Sequence, residues 1–164
     1  MLIYILRHAT AVQRGTSVYP NDDRPLTEDG IDKMEKAARG IATLIDGIDV
    51  IVTSPLLRAQ ETAKIAADAL GAKHKIELCK ELLPGSSMKK LLLYLAKYKN
   101  LNRIILVGHE PDLGYLASAL LGSENSVIEF KKGSLCCIEI SGLPPRGSGT
   151  LQWHLQPKHL RGLT

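Results

Sequence analysis

Arg103-Ile104-Ile105-Leu106-Val107-Gly108-His109 decides the fold. Four consecutive apolar residues, three of them β-branched, are too few for a helix and show no polar alternation. A run of that kind belongs to a strand covered on both faces, as at the centre of a parallel sheet. The run stops at a glycine and a histidine, so the strand delivers a titratable side chain at its carboxyl end.

Working outward, strand and helix signals alternate. Leu2 to Leu6 reads as a buried strand and ends in Arg7-His8. Residues 9–26 are polar and rich in turn formers (Gly15, Pro20, Asn21, Asp22, Asp23, Pro25) and read as a long loop, of the kind that carries function in compact domains. Thr27 reads as an N-cap with Glu28 and Asp29 in the first turn. Ile31, Met34, Ala38, Ile41 and Ile45 then step at helical spacing. Val50 to Val52 is a second strand. Ser54-Pro55 reads as an N-cap with Pro at the first helical position, before the stripe Leu56, Ala59, Ala63, Ala66 and Leu70, closed by Gly71. Lys75 to Cys79 is a third strand, 87–98 a leucine-rich helix, and Pro111 opens a helix ending at Leu121-Gly122. Ser126 to Phe130, Leu135 to Ile140 and Leu151 to Leu155 read as short strands between Gly/Pro turns, the mark of antiparallel pairing. The expectation is one α/β domain spanning 1–164: a three-layer sandwich with a mostly parallel central sheet and antiparallel edge strands.

Composition removes several function classes. The 164 residues carry a net charge of +4 with little clustering of Lys and Arg, and only seven aromatic residues (Trp 1, Tyr 5, Phe 1), so a nucleic-acid partner is not expected. No apolar run approaches a membrane span, the strongest being Leu91 to Ala96, and the start lacks the anatomy of a signal peptide. Three cysteines, two adjacent (Cys136, Cys137, with Cys79 apart), suit reduced thiols and a cytoplasmic location better than a disulfide framework. Phosphate-loop and dinucleotide fingerprints, a G-x-S-x-G elbow, C-x-x-C and H-E-x-x-H are all missing, so no metal and no cofactor is expected.

Three strand ends each supply a basic or imidazole side chain instead. The first ends in Arg7-His8, the central one in Gly108-His109, and the second runs through Ser54-Pro55 into a helix bearing Arg58. In an open α/β sheet, ligands bind beyond the carboxyl ends of the strands, and the helix N-termini there add N–H groups that suit an anion. His74, His154 and His159 lack any such context and read as surface or packing residues. Cys136 and Cys137 read as core fillers.

Arg7-His8-Ala9-x-Ala11, Ser54-Pro55-x-x-Arg58-Ala59-x-x-Thr62-Ala63 and Gly108-His109-Glu110-Pro111 resemble the three signature segments of the histidine phosphatase, or phosphoglycerate mutase-like, superfamily. Asp23-Arg24-Pro25-Leu26-Thr27-x-x-Gly30, Leu83-Pro84 and Trp153-x-Leu155-x-Pro157 are similar to its small SixA-type phosphohistidine phosphatase branch. Ala9 stands where many members have glycine. The resemblance implies that His8 is the nucleophile, that Arg7 and Arg58 bind the phosphoryl oxygens, and that His109, protonated beside a dianion, is a third positive donor. Glu81 is the candidate general acid, near the place where larger members carry one, and Arg24 is a candidate substrate-binding residue at the pocket entrance.

The implied reaction is hydrolysis through a phosphohistidine on His8, without metal. The short segments between the motifs leave little chain for a cap, which favours a phosphorylated protein, such as a phosphohistidine carrier domain, as substrate. A monomer is expected. A small phosphorylated metabolite is the alternative substrate, and a non-catalytic phosphate-binding protein the alternative class.

Overall fold

The computed structural model describes residues 1–125 and 128–163. Six strands form one sheet: β1 (Leu2–Arg7), β2 (Val50–Thr53), β3 (Ile76–Leu78), β4 (Arg103–Gly108), β5 (Leu135–Glu139) and β6 (Thr150–Leu155), in the order β3-β2-β4-β1-β5-β6. β1, β2, β3 and β4 run parallel, β5 pairs antiparallel with β1, and β6 antiparallel with β5. β4 sits at the heart of the parallel part, flanked by β1 and β2, as its apolar run requires.

Helices cover both faces: α1 (Glu28–Leu44), α2 (Leu57–Ala69), α3 (Met88–Leu95), α4 (Asp112–Leu120) and α5 (Pro157–Arg161). Side chains alternate between faces along each strand. Tyr4, Leu6, Ile105, Val107 and Cys137 pack with Met34, Ala38, Ile41, Ala59, Ala63 and Leu160 from α1, α2 and α5. Ile3, Ile5, Ile104, Leu106 and Cys136 pack with Leu91, Leu95, Leu113, Leu116 and Leu120 from α3 and α4. This is the expected three-layer α/β sandwich.

Register sets the site. Arg7 pairs with Gly108, and Val107 with Thr53. The His8 N–H donates to the Gly108 carbonyl (3.1 Å) and the Ser54 N–H to the Val107 carbonyl (2.9 Å). His8, Ser54 and His109 therefore leave the sheet side by side. On β3, Leu78 pairs with Thr53, which sends Cys79 to Glu81 out at the same end.

Several local readings hold and others change. Thr27 caps α1, its hydroxyl accepting the Gly30 N–H at 2.9 Å. Gly30 is required by contact: a Cβ there would lie 2.1 Å from the Thr10 carbonyl oxygen. Ile31 is exposed, and the buried face of α1 runs through Met34, Ala37, Ala38 and Ile41. The helix expected over 87–98 ends at Leu95 and continues as a 3-10 turn over Ala96–Tyr98. Ser54 does not cap α2, which begins at Leu57; its hydroxyl is taken by His109, and the Asp23 carboxylate accepts the Leu57 N–H instead (2.8 Å).

Of the strand expected over Ser126 to Phe130, Ser126 and Val127 lie outside the described residues, and 128–130 is not a strand. The Phe130 N–H and carbonyl are used by the side chains of Glu110 and Arg7 in place of a ladder. α5 had no counterpart in the sequence reading. It packs on α1 at Gly40, where a Cβ would meet the Leu160 carbonyl oxygen at 1.9 Å.

Candidate active site

At the carboxyl ends of β1, β2 and β4, a cavity of about 170 Å³ is lined by Arg7, His8, Arg14, Arg24, Arg58, Lys132, His109 and Glu110, with Ala11 and Pro84 at its wall. All four residues singled out at strand ends, Arg7, His8, Arg58 and His109, meet here, as does Arg24.

His8 is buried, and its Nδ1–H donates to the Ala9 carbonyl at 2.7 Å. That bond assigns the proton to Nδ1 and leaves Nε2 with a free lone pair. Burial pushes its pKa down to about 3, helped by Arg58, Arg7 and Lys132 and opposed by the Ala9 bond. The ring is neutral at pH 7, as a nucleophile must be. Thr62 steadies this segment from α2: its hydroxyl accepts the Ala9 N–H (3.0 Å) and donates to the Arg58 carbonyl (2.7 Å).

His109 lies with its ring centroid 5.1 Å from that of His8. Its Nε2 is bonded to the Ser54 hydroxyl at 2.8 Å. Ser54 Oγ also accepts the Leu56 N–H (3.4 Å); with the Ser54 proton donated to His109 Nε2, the imidazole proton lies on Nδ1. That nitrogen is buried and has no partner. Burial pushes the His109 pKa down to about 3, with His8, Arg58 and Arg7 adding to the effect and Asp22 opposing it. The ring is therefore neutral at pH 7 while the cavity is empty. Only an anion set against it would draw a second proton onto it.

The arginines are held from behind. Arg7 Nη1 donates to the Phe130 carbonyl at 2.5 Å, and Glu110, whose carboxylate accepts the Phe130 and Gly114 N–H groups, sits beside it. Arg58, almost wholly buried, donates from Nη1 to the Asp22 carbonyl (2.6 Å) and from Nη2 to the Asp22 carboxylate (3.1 Å). Arg24 donates from Nη1 to the Val12 carbonyl (2.6 Å) and from Nη2 to Asp22 (3.3 Å), and Arg14 pairs with the same carboxylate at 2.9 Å. Burial pushes the Asp22 pKa up, but Arg58, Arg14 and Arg24 outweigh it and hold the group below the usual carboxylate range.

Three of the four cavity arginines, 7, 24 and 58, each keep a buried Nε–H with no partner. Together with His109 Nδ1, these are four of the six buried side-chain polar atoms without a partner among the described residues. A buried donor left unpaired costs about 1–3 kcal/mol. All four belong to residues that line one small cavity, and with Arg14 and Lys132 they make it a cationic place suited to an oxyanion.

Glu81 does not reach this cavity. Its half-buried carboxylate accepts from the Cys79 thiol (3.4 Å) and lines a narrow crevice on the other side of His109, with Asp112 and Ser86. Burial and Glu81 push the Cys79 thiol up to about 12. Cys136 and Cys137 are buried and free, with pKa values of about 12 and 11, consistent with core packing. His74 and His159 are exposed, and His154 packs on Phe130. Among the described residues no three His, Cys, Asp or Glu side chains gather as a metal-ligating group, and no helix is long and apolar enough to cross a membrane.

Sequence reasoning missed Asp22, Arg14, Lys132 and the roles of Ser54 and Glu110. The run Asp22-Asp23-Arg24, dense in charge inside a turn-rich loop, was the available signal for the first of them.

The model of the histidine phosphatase superfamily (branch 1) matches residues 3–83. An uncharacterized protein of Picosynechococcus sp. is 34% identical over 139 residues, covering 82% of each chain. The phosphohistidine phosphatase SixA of Escherichia coli is 27% identical over 163 residues, covering 98% of this chain and 97% of that one. Among solved structures, the protein histidine phosphatase SixA complexed with tungstate superposes with a TM-score of 0.85 at 26% identity, covering 98% of this chain and 99% of that one. The phosphoserine phosphatase of Entamoeba histolytica shares the fold alone, with a TM-score of 0.68 at 18% identity over 97% and 98% of the two chains. Set beside an oxyanion cavity that joins Arg7-His8, Arg58 and His109, these likenesses make the chain a phosphatase and a member of the histidine phosphatase superfamily, branch 1, of the SixA type.

Proposed function

We propose that the protein hydrolyses phosphohistidine on another protein, through a covalent phosphohistidine on His8. The observation that carries this reading is the gathering of Arg7, Arg24, Arg58 and His109, each with a buried nitrogen that has no partner, around one cavity with His8, whose Nε2 is left free by the bond at Nδ1.

The phosphoryl group enters with its three non-bridging oxygens among these donors. His8 Nε2 attacks phosphorus in line, an N–P bond forms, and the bond from phosphorus to the substrate nitrogen breaks. That nitrogen leaves on an imidazole, which is protonated readily near pH 7. No strong acid is needed, which agrees with a Glu81 that stands outside the cavity. Water then attacks phosphorus, releases inorganic phosphate and restores His8. The dianion beside His109 favours protonation of its ring, so the positive charge of the pocket rises as the substrate seats itself. Guanidinium forks suit phosphate oxygens, and a preorganised donor is worth about 10²–10³ in rate.

Support for a protein substrate comes from the likeness to SixA over the whole chain and from an open mouth. Arg14, 69% exposed, and the exposed Lys132 stand at its rim.

The test is a substrate panel. A phosphohistidine carrier domain should be dephosphorylated much faster than sugar phosphates or other small phosphomonoesters. The reverse order would make the protein a metabolite phosphatase. No turnover of any of them, with phosphate still bound, would leave a binding protein.

A further inference from the structure

Asp22 lies on the long loop after β1, outside the cavity lining, yet among the described residues it touches more of the site's cations than any other carboxylate. One oxygen, Oδ2, receives Arg58 Nη2 at 3.1 Å. The other, Oδ1, receives Arg24 Nη2 at 3.3 Å and faces Arg14 Nη2 at 2.9 Å. The Asp22 backbone carbonyl takes Arg58 Nη1 at 2.6 Å. Both Nη ends of Arg58 are thus fixed by one residue, and those of Arg24 by Asp22 and the Val12 carbonyl.

A guanidinium is planar, with its five N–H groups in a rigid fork. Pinning two of its nitrogens sets the direction of the third. In Arg58 and in Arg24 alike, the third nitrogen is Nε, buried and unpartnered on a residue that lines the cavity. A single carboxylate therefore orients two forks from different parts of the chain, one on α2 and one on the loop.

We propose that Asp22 is a positioning residue: it holds the guanidinium groups of Arg58 and Arg24 in place at the cavity that takes the phosphoryl group. The inference rests on the phosphoryl-transfer reading above. It also runs against simple charge counting, by which a carboxylate near an anion site repels the anion and its removal tightens binding. Positioning has the opposite sign, because a donor misplaced by about 1 Å can cost on the order of 10²-fold in rate.

The experiment compares wild type with Asp22→Asn, Asp22→Glu and Asp23→Ala. Each is assayed for kcat and KM on a phosphohistidine protein and for binding of inorganic phosphate by calorimetry. Asp22→Asn should bind phosphate about tenfold more weakly and lose about 10–100-fold in kcat/KM. Asp22→Glu, which keeps the carboxylate, should recover most of both. Asp23→Ala removes the loop's bond to the Leu57 N–H and touches none of the arginines, so it should stay within about threefold of wild type.

Tighter or unchanged phosphate binding in Asp22→Asn overturns the proposal. So does an equal loss in Asp23→Ala, which would mean that the loop needs only to be anchored. If Asp22→Asn fails to fold by circular dichroism, Asp22→Ser gives the same comparison. A wild-type protein that neither binds phosphate nor turns over would sink the phosphatase reading itself, a result distinct from a normal wild type beside a normal Asp22→Asn.

Discussion

The imidazoles of His8 and His109 stand 5.1 Å apart at a tilt of 52°, and each is tied down on the nitrogen that its own reaction role does not need. His8 is held at Nδ1 by the Ala9 carbonyl, and His109 at Nε2 by the Ser54 hydroxyl. Two chemically identical rings are thereby made different: one offers a lone pair, the other an N–H. Their proximity also discourages charge on both at once, since His8 is among the groups that depress His109.

Replacing His8 by Ala removes the lone pair on which turnover depends. Activity should fall at least 10³-fold. With a radiolabelled aryl phosphate, wild type should trap an acid-labile label on the protein and the variant none. Retention of a tenth of the activity would point to another nucleophile.

Arg58→Lys keeps the charge and loses the fork. An ammonium cannot hold Asp22 through two nitrogens and still meet a phosphoryl oxygen. A loss of about 10²–10³ in kcat/KM is expected, with thermal stability close to wild type. A loss under threefold would show that charge alone suffices.

Ser54→Ala frees His109 Nε2 and leaves two ring nitrogens unpaired in a buried place. The expected cost is about 1–3 kcal/mol in stability, read by denaturant unfolding. kcat should fall about tenfold, because the ring can then take the wrong tautomer. An unchanged kcat would detach the hydroxyl from catalysis.

His8 and His109 both have folded-state pKa values of about 3, against about 6.5 when unfolded. Between those limits the unfolded chain binds more protons. Their contribution to stability is therefore complete above pH 6.5 and lost progressively as pH falls toward 3. The melting temperature of wild type should drop over that window. In a His8→Asn, His109→Gln double variant the drop should be visibly shallower; equal slopes would place the acid sensitivity elsewhere.

Much of this site was readable because it is built at strand ends. Apolar runs located β1, β2 and β4, and whatever follows such a strand in a parallel sheet shares one edge with its neighbours, so Arg7-His8, Ser54 and His109 could be grouped without coordinates. Asp22 could not. Its contact with Arg58 spans 36 residues and arises from the path of an irregular loop, which has no period to read. Ser54 was misassigned because a Ser-Pro pair before an apolar stripe is an ordinary helix start, and only the tertiary structure shows its hydroxyl taken by His109. Phe130 sits in a stretch with the composition of a strand, but its N–H and carbonyl are claimed by Glu110 and Arg7.

That last pair of bonds bears on how the chain can be divided. Arg7 owes its aim to a carbonyl 123 residues away, and the strand that carries it is flanked by β5 on the side away from β4. A fragment ending after α4 would contain Arg7, His8, Arg58 and His109, yet β1 would become an exposed edge with unpaired backbone groups, and Arg7 would swing free. The last quarter of the molecule is thus a splint for the first strand, and a shortened version that keeps every reacting side chain should be a poor catalyst and prone to aggregate.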